Sequence, residues 1–131
     1  MVLPGIQALF GFQLVAVFSS GFASELTAGE RRLHLAAILC VVAAVALVMA
    51  PATLHRHREP ESISRAFLTL SSRLLMWSMA PLAIGTTLDV YLVARVIAQS
   101  VVIAAACAAA ASITFLALWV VLPRRASLRP D

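Results

Sequence analysis

The chain has 131 residues, of which 62% are hydrophobic and 12% are charged, and its formal net charge is +4. Charged residues make up about a quarter of soluble globular domains, and a soluble domain this small could not bury so much apolar surface. The composition therefore excludes the ordinary soluble class, and we expect a single integral membrane domain over residues 1–131.

Four apolar segments are long enough to cross a bilayer as helices, since about twenty residues span its hydrocarbon core. They lie at residues 3–23, 33–54, 66–88 and 93–122, and residues 55–65 form a polar loop between the second and the third. We therefore predict an all-α, polytopic membrane protein with four transmembrane helices in two hairpins. A secretory signal peptide is the alternative for the first segment, because Gly21-Phe22-Ala23 resembles a small-x-small cleavage site, although no basic region precedes that segment.

The arginines predict how the chain is threaded. Seven of the ten lie in the central loop, early in the third helix or in the C-terminal tail, and three lie on the opposite side. Arginine-rich loops face the cytoplasm, so we expect both termini and the central loop on the cytoplasmic side of the inner (plasma) membrane. The arginines lie at segment ends, which favours membrane lipid over nucleic acid as a partner. The basic patch for lipid or a partner protein is His55, Arg56, His57 and Arg58.

Two glutamines, Gln7 and Gln13, lie within the first predicted helix and point to different faces. Gln13 shares its face with Ser20 and, one turn later, with Ser24. One interpretation is that each amide bonds a neighbouring helix, which is worth about 1 kcal/mol. The other is that Gln13 and the two serines line a polar path or a ligand site. Because amides commonly join membrane helices, the first interpretation is favoured.

Sequence signals indicate where the second and third helices begin and where the third helix ends. Thr27 and Glu30 have the spacing of a capping box, which predicts a helix start between them. Glu59-Pro60-Glu61 predicts the entry to the third helix, because proline suits the first helical position and acids suit the positive end of the helix dipole. Asp89 is expected to end the third helix or to cap the fourth, with Arg95 as its only nearby charge partner.

The third helix carries residues that are unusual in a membrane span. Arg73 either reaches the interface or, if the lipid core begins earlier, faces protein or water. Pro81, followed by Gly85, Thr86 and Thr87, is expected to make the backbone irregular. Such backbone lines cavities in some membrane proteins, but a packing role is the favoured interpretation here.

Small residues recur every four positions along the fourth helix. The ridge consists of Ser100, Ala104, Ala108 and Ser112. Because small side chains let helix backbones approach closely, the fourth helix is predicted to be the one most enclosed by neighbours, within one chain or within an oligomer.

Several short motifs are spread over the chain: Leu3-Pro4-Gly5-Ile6-Gln7-Ala8-Leu9-Phe10, Phe18-Ser19, Ala50-Pro51, His55-Arg56, Asp89 and Trp119-Val120-Val121-Leu122-Pro123. In these residues the chain resembles a family of small bacterial four-helix membrane proteins whose function is unassigned. The resemblance covers nearly the whole chain and implies the four-helix fold. It also implies a polar helical segment ahead of the Leu-Pro-Gly stretch, and it supplies no activity.

Three histidines raise the question of a metal or a haem. His55 and His57 would point to different sides of a helix, although an extended loop could bring them together with Glu59 or Glu61. His34 is a membrane thickness away from that pair. Interfacial histidines beside arginines are the favoured interpretation, so we expect no metal and no cofactor.

The sequence gives no support for an enzyme. It contains no nucleophile–base arrangement, no glycine-rich phosphate loop and no CxxC pair, and Cys40 and Cys107 are interpreted as small packing residues within apolar segments. No acidic residue falls at the centre of a predicted span, which argues against a proton-coupled carboxylate.

Two functional hypotheses remain open. The first is a homo-oligomeric pore or transport protein for ions or small solutes, and the second is a structural or accessory subunit that docks in a membrane protein complex. A polar path in the first case would use Gln7, Gln13, Arg73, Thr86, Ser100, Ser112 and Thr114. A water-filled passage between subunits would favour the first hypothesis, and a dry bundle with one exposed small-residue face would favour the second.

Overall fold

The computed structural model of the protein describes residues 3–58 and 65–121, and it is helical almost throughout those ranges. Its elements are α1 (Leu3–Val17), α2 (Phe22–Glu25), α3 (Ala28–Arg58), α4 (Arg65–Ala98) and α5 (Val101–Leu116), the last continued by a π-helical turn over Ala117–Val121. The predicted all-helical class is confirmed. Residues 59–64 and the C-terminal tail from 122, on which part of the arginine count depends, lie outside the described residues.

The first apolar segment is two helices, whereas one span over residues 3–23 was expected. The Ser19 hydroxyl donates to the Ala16 carbonyl at 2.8 Å, and the Ser19 amide donates to the same carbonyl at 3.1 Å. A serine that satisfies backbone groups locally competes with helix continuation, so α1 ends at Val17 and a turn leads into α2. At about 1.5 Å per residue, α1 is about 22 Å long, which is shorter than the roughly 30 Å hydrocarbon core.

The predicted capping box forms at the start of α3. The Thr27 amide and hydroxyl both donate to Glu30 Oε2 at 2.8 Å, and the Glu30 amide donates to Thr27 Oγ1 at 3.3 Å. These bonds satisfy backbone donors that a helix start leaves free. From there α3 runs through Pro51 to Arg58, so the His55–Arg58 backbone continues the helix and does not belong to an extended loop.

The third predicted helix does not end at Asp89. Helix α4 passes unbroken through Pro81 and Asp89 to Ala98, and the expected irregular backbone is regular helix. Residues 82–98 contain one glycine and no proline, so nothing in the sequence stops the helix near Asp89. The Thr86 hydroxyl donates to the Leu82 carbonyl at 2.8 Å, one turn earlier on the same helix.

The break between the third and fourth helices lies ten residues later, at Gln99 and Ser100. Gln99 has a φ of 49°, in the left-handed region that commonly ends helices. Ser100 then caps α5, because its hydroxyl accepts from the Ile103 amide at 3.5 Å.

Helices α3 and α4 form the central hairpin, with α1 packed on α3 and α5 packed on α4. The core between them consists of small or branched side chains: Ala37, Val41, Ala44, Leu92 and Ala104 are all buried. A Cβ placed on Gly85 would come within 3.1 Å of the Ala37 carbonyl oxygen. The absence of a side chain there therefore allows α3 and α4 to approach closely.

Among the residues that the structure describes, three helices are long and apolar enough to cross a membrane: Ala28–Thr53, Phe67–Ala98 and Val101–Val121. Residues Pro4–Val17 form a shorter apolar helix. Of the three long segments the last is the least buried within one chain and the first is the most buried. The prediction that the fourth helix is the most enclosed is therefore wrong for a single chain, because α3 lies between α1 and α4 whereas α5 packs mainly on α4.

Candidate functional site

Three polar side chains from three helices meet inside the bundle. Gln13 on α1, His34 on α3 and Asp89 on α4 make up this polar cluster, in which Gln13 and His34 are only 4% and 7% exposed. Gln13 Nε2 donates to Asp89 Oδ2 at 2.5 Å. The predicted bond from a glutamine of the first helix to a neighbouring helix is present, and its acceptor is a carboxylate.

The hydrogen bonds of His34 define where its protons lie. His34 Nε2 is 3.0 Å from the Gln13 carbonyl oxygen, which can only accept, so Nε2 carries a proton and donates. A neutral imidazole then has a lone pair at Nδ1, and Nδ1 is 3.6 Å from Asp89 Oδ1. Two acceptors facing each other repel, so the arrangement favours a proton on either Nδ1 or Asp89.

Helix α2 packs over the polar cluster. The Phe22 ring meets the His34 ring edge-on, with centroids 5.3 Å apart and planes at 63°, a favoured aromatic geometry. The turn at the end of α1 carries the chain back over this site, so the unexpected break of the first segment places an aromatic side chain against the imidazole.

An ion pair lies one turn from the cluster, toward the start of α3. Arg95 Nε is 3.3 Å from Glu30 Oε1, and both side chains are largely shielded from solvent. Glu30 thus has two roles, since its other oxygen closes the capping box with Thr27. His34 follows Glu30 by four residues, which puts the ion pair and the cluster on the same face of α3.

Asp89 lies well inside α4. It precedes Ala98, the last residue of the helix, by nine positions, which corresponds to about 14 Å along the axis. The expected end of the third helix near Leu88 is therefore wrong, whereas the expectation that no acid lies at the centre of a span stays a prediction.

Two further expectations about these residues are wrong. Arg95 pairs with Glu30 rather than with Asp89, because six helical residues separate Asp89 and Arg95 by about 240° around the axis. His34 is buried between helices and not exposed to lipid, because α1 and α2 cover this part of α3.

A cavity of about 420 Å³ borders the cluster between α1, α2 and α4. Its walls are mainly apolar, with Phe12, Leu92, Val93, Val96 and Ile97 among the lining residues. The size is within the range of small-molecule sites.

The polar groups that face this cavity are mostly acceptors. Gln13, Glu25, His34 and Asp89 line it, and no arginine does so in the part of the chain that the structure describes. Gln13 Oε1 is buried and has no hydrogen-bond partner among the described residues. An unpaired buried acceptor costs about 1–3 kcal/mol, so a donor from outside the chain would remove this penalty.

The predicted polar path is not gathered at one place within a single chain. Gln13 is in the cluster, whereas Gln7, Arg73 and Thr114 are exposed on the chain's surface. Arg73 precedes Asp89 by sixteen residues on one helix, or about 24 Å. The remaining members bond mostly within their own helix: Thr86 to Leu82, Ser100 to Ile103, and Ser112 to Ala108 at 2.9 Å. Ser112 also lies 3.5 Å from the Thr87 hydroxyl on α4.

A second, larger cavity of about 600 Å³ lies between α4 and α5. Its lining is apolar apart from Thr87 and Ser112, and it includes Met76, Phe115 and Trp119. Phe115 and Trp119 stack at 4.8 Å on the same helical face. It contains no charged residue, so the polar cluster is the better candidate for a functional site.

The described residues thus form an all-helical bundle in which three helices are long and apolar enough to span a membrane, with a largely buried ionisable pair, His34 and Asp89, between helices. The chain belongs to DUF6328, a family of unknown function, whose model matches residues 1–123. No curated protein and no solved structure matches the chain. The resemblance found in the sequence is thus confirmed at the level of the family.

One sequence signal could have identified the cluster. Residues 88–94 read Leu-Asp-Val-Tyr-Leu-Val-Ala, with no turn residue around the aspartate. An acid flanked by apolar residues on both sides fits a continuous membrane helix better than a loop. The partner choice, Gln13 and His34, has no comparable signal, because it depends on how three helices pack.

Proposed function

We propose that this protein transports a small solute across the membrane and links that transport to a proton held by His34 and Asp89. The observation that carries the proposal is the buried polar cluster beside the 420 Å³ cavity. Burying ionisable side chains among apolar helices costs several kcal/mol. Such groups mark proton relays and solute pathways in membrane proteins.

The chemistry of the cluster supports a proton-linked role. The geometry favours one proton on the His34–Asp89 pair, and a solute that donates to Asp89 would compete with that proton. The charged neighbours are Glu25 on α2, Glu30 on α3 and Arg95 on α4; α1 contributes only the neutral Gln13. The opposite charges of Glu30 and Arg95 cancel each other. Solute binding would therefore change the protonation of the His34–Asp89 pair and not the charge of its neighbours.

Solute-driven proton movement in vesicles tests the proposal. The purified protein is reconstituted with a pH-sensitive dye trapped inside, and amines, amino acids, carboxylates and alcohols are added outside in turn. We expect at least one class to change the internal pH faster than in protein-free vesicles. Asp89→Asn, which keeps the side-chain size and an oxygen acceptor for Gln13, is expected to abolish that difference.

Two surface variants are matched controls. Thr114→Val removes an exposed hydroxyl that donates to its own helix at Ala110, and Arg73→Leu removes an exposed charge far from the cluster. Both are expected to keep wild-type rates. Loss of flux in Arg73→Leu would instead support the longer polar path expected from the sequence, and no pH change with any solute class would overturn the proposal.

An accessory subunit is the second candidate function, and α5 is the observation in its favour. Ala105, Ala106, Ala109 and Ala110 are exposed on one chain, and small residues favour helix–helix contact in membranes. Either a homo-oligomer or a membrane protein partner would cover that face. The mass of the complex in nanodiscs, compared with the 13.9 kDa chain, distinguishes a homo-oligomer from a monomer that needs a different partner.

We also propose that the central loop and both termini face the cytoplasm at the inner membrane. The seven arginines of the loop, the third helix and the tail support this orientation against three on the opposite side. The orientation requires α1 to cross the bilayer together with α3, α4 and α5.

A further inference from the structure

The cavity beside the polar cluster offers acceptors at its polar end. Gln13 is 96% buried, its Oε1 has no partner among the described residues, and its amide nitrogen is used by Asp89. Asp89 Oδ1 is 3.6 Å from His34 Nδ1, beyond hydrogen-bond distance. Gln13 and Asp89 thus form the polar end of the cavity lining.

The charge of the lining favours a cation. Asp89 and Glu25 are its acidic residues, and no lysine or arginine of the described chain accompanies them. Arg95, the nearest guanidinium in sequence, lies against Glu30 and is not part of the lining. An anion would meet carboxylates without a compensating donor, whereas an ammonium would satisfy both acceptors.

The walls require an apolar tail on that cation. Phe12, Phe22, Leu92, Val93 and Ile97 surround the space away from the acceptors. Only a small part of the lining surface is polar, so a hydrophilic ligand such as a polyamine would leave its other charges in apolar surroundings.

We propose that this cavity binds a small lipophilic primary amine in its ammonium form, with the N–H groups on Gln13 Oε1 and Asp89 and the tail against Val93 and Ile97. The inference deepens the proposed function by naming the class of solute and rests on it for transport, but binding itself can be measured alone. Charge-assisted hydrogen bonds from N⁺–H to the carboxylate supply the selectivity.

Three probes that share a phenethyl tail distinguish the effect of N–H hydrogen-bond donors from the effect of charge. Phenethylammonium has N–H donors and a charge, its N,N,N-trimethyl derivative has the charge without donors, and 3-phenylpropionate has the opposite charge. Isothermal titration calorimetry on the full chain in nanodiscs, with empty nanodiscs subtracted, gives their affinities. We expect phenethylammonium to bind about tenfold or more tightly than the trimethyl derivative, and 3-phenylpropionate not to bind above the lipid background.

Two variants locate the binding. Gln13→Leu removes the free acceptor and is expected to weaken phenethylammonium by about tenfold. Val93→Trp fills the cavity from an exposed wall position without altering a polar group, and it is expected to abolish binding. Thr114→Val is expected to bind as the wild type does, and thermal unfolding shows that each variant is folded.

The outcomes separate this inference from the proposed function. Equal affinity for the ammonium and trimethyl probes, or binding that survives Val93→Trp, overturns the ligand assignment. Proton movement driven by another solute class, without ammonium binding, overturns the ligand assignment and leaves the transport proposal standing. Ammonium binding without any proton movement overturns transport and supports the assigned site.

Discussion

Gly85 is the residue at which the central hairpin leaves the least room for a side chain among the described glycines. Its added Cβ would lie 3.1 Å from the Ala37 carbonyl, 3.2 Å from Cys40 Cβ and 3.2 Å from Val41 Cγ2. Two of these atoms belong to the α3 backbone or are fixed to it, so relief requires a shift of the helix. Gly85 therefore sets the distance between the two helices that hold His34 and Asp89.

Replacing Gly85 by alanine is expected to destabilise the protein by about 1–3 kcal/mol, because overpacking forces the helices apart. Gly11→Ala is the matched control, since nothing lies within 4 Å of a Cβ there. Alanine in an open helix is better than glycine by up to about 1 kcal/mol, so the two variants are expected to change stability in opposite directions. Thermal unfolding in detergent measures both, and equal effects would contradict the close approach at Gly85.

Glu30 combines two interactions that substitutions can separate. Glu30→Gln keeps an acceptor for the capping box but removes the charge that faces Arg95 at 3.3 Å. We expect a coupling energy of about 1 kcal/mol between Glu30→Gln and Arg95→Gln in a double-mutant cycle, because the Arg95 side chain keeps 26% of its surface exposed to solvent. Additive effects of the two changes would show that the ion pair contributes nothing to stability.

At the scale of elements, the ends of the helices depend on a few local bonds. The α3 start is fixed by the Thr27–Glu30 box, and the α4 end is fixed by one residue in a left-handed conformation, Gln99. A non-glycine residue pays about 1–2 kcal/mol for that conformation. The packing of α5 on α4, which this turn makes possible, offsets the cost.

Gln99→Gly is expected to stabilise the protein by about 1 kcal/mol, because glycine adopts a positive φ without the steric penalty. Gln99→Ala is the control, since it removes the side-chain bond to the Val96 carbonyl at 2.8 Å while keeping the penalty. The difference between the unfolding temperatures of the two variants measures the cost of the left-handed backbone conformation at residue 99. A glycine variant no more stable than the alanine variant would argue against strain at this turn.

At the scale of the whole molecule, threading depends on whether the short helix α1 crosses the bilayer. Its fifteen residues are fewer than the roughly twenty that a straight span needs. Four crossings put both termini on one side, and three put them on opposite sides.

Single-cysteine labelling in intact cells tests the threading, after Cys40 and Cys107 are replaced by alanine. Ser62→Cys in the central loop is expected to react only after the cells are opened, because arginine-rich loops stay in the cytoplasm. Ser24→Cys, on exposed α2, is expected to react with an impermeant reagent from outside. The reverse pattern would contradict the orientation that the arginines predict, because it would put the central loop outside the cell.

Predictions from the sequence succeeded where one residue and its neighbours along the chain decide the structure. The Thr27–Glu30 spacing predicted the start of α3, and the apolar composition predicted helices long and apolar enough to cross a membrane. The prediction that the third helix ends at Asp89 is wrong, because α4 continues to Ala98. The expectation of one continuous first helix is also wrong, because the local bond of Ser19 ends α1 early. In both cases the polar side chain has a hydrogen-bond partner that the periodicity of apolar residues does not predict.

Of the candidate site, the sequence identified Gln13 as a helix-joining amide but assigned His34 to the interface and Arg95 to Asp89. Residues separated by 76 positions, such as Gln13 and Asp89, become neighbours only when α1 and α4 pack against the same end of α3. The register of that packing depends on Gly85, Ala37 and Val41. No spacing rule along one helix contains this information.

The sequence alone determined that this protein is helical, apolar enough for a membrane, and a member of its family, because composition and local helix signals are sums over neighbouring residues. Only the tertiary structure decided that an aspartate, a histidine and a glutamine share one buried site. A polar group in an apolar bundle takes whichever partner the close-packed helices bring within hydrogen-bond distance. That choice depends on the relative position of the helices to within an ångström or so.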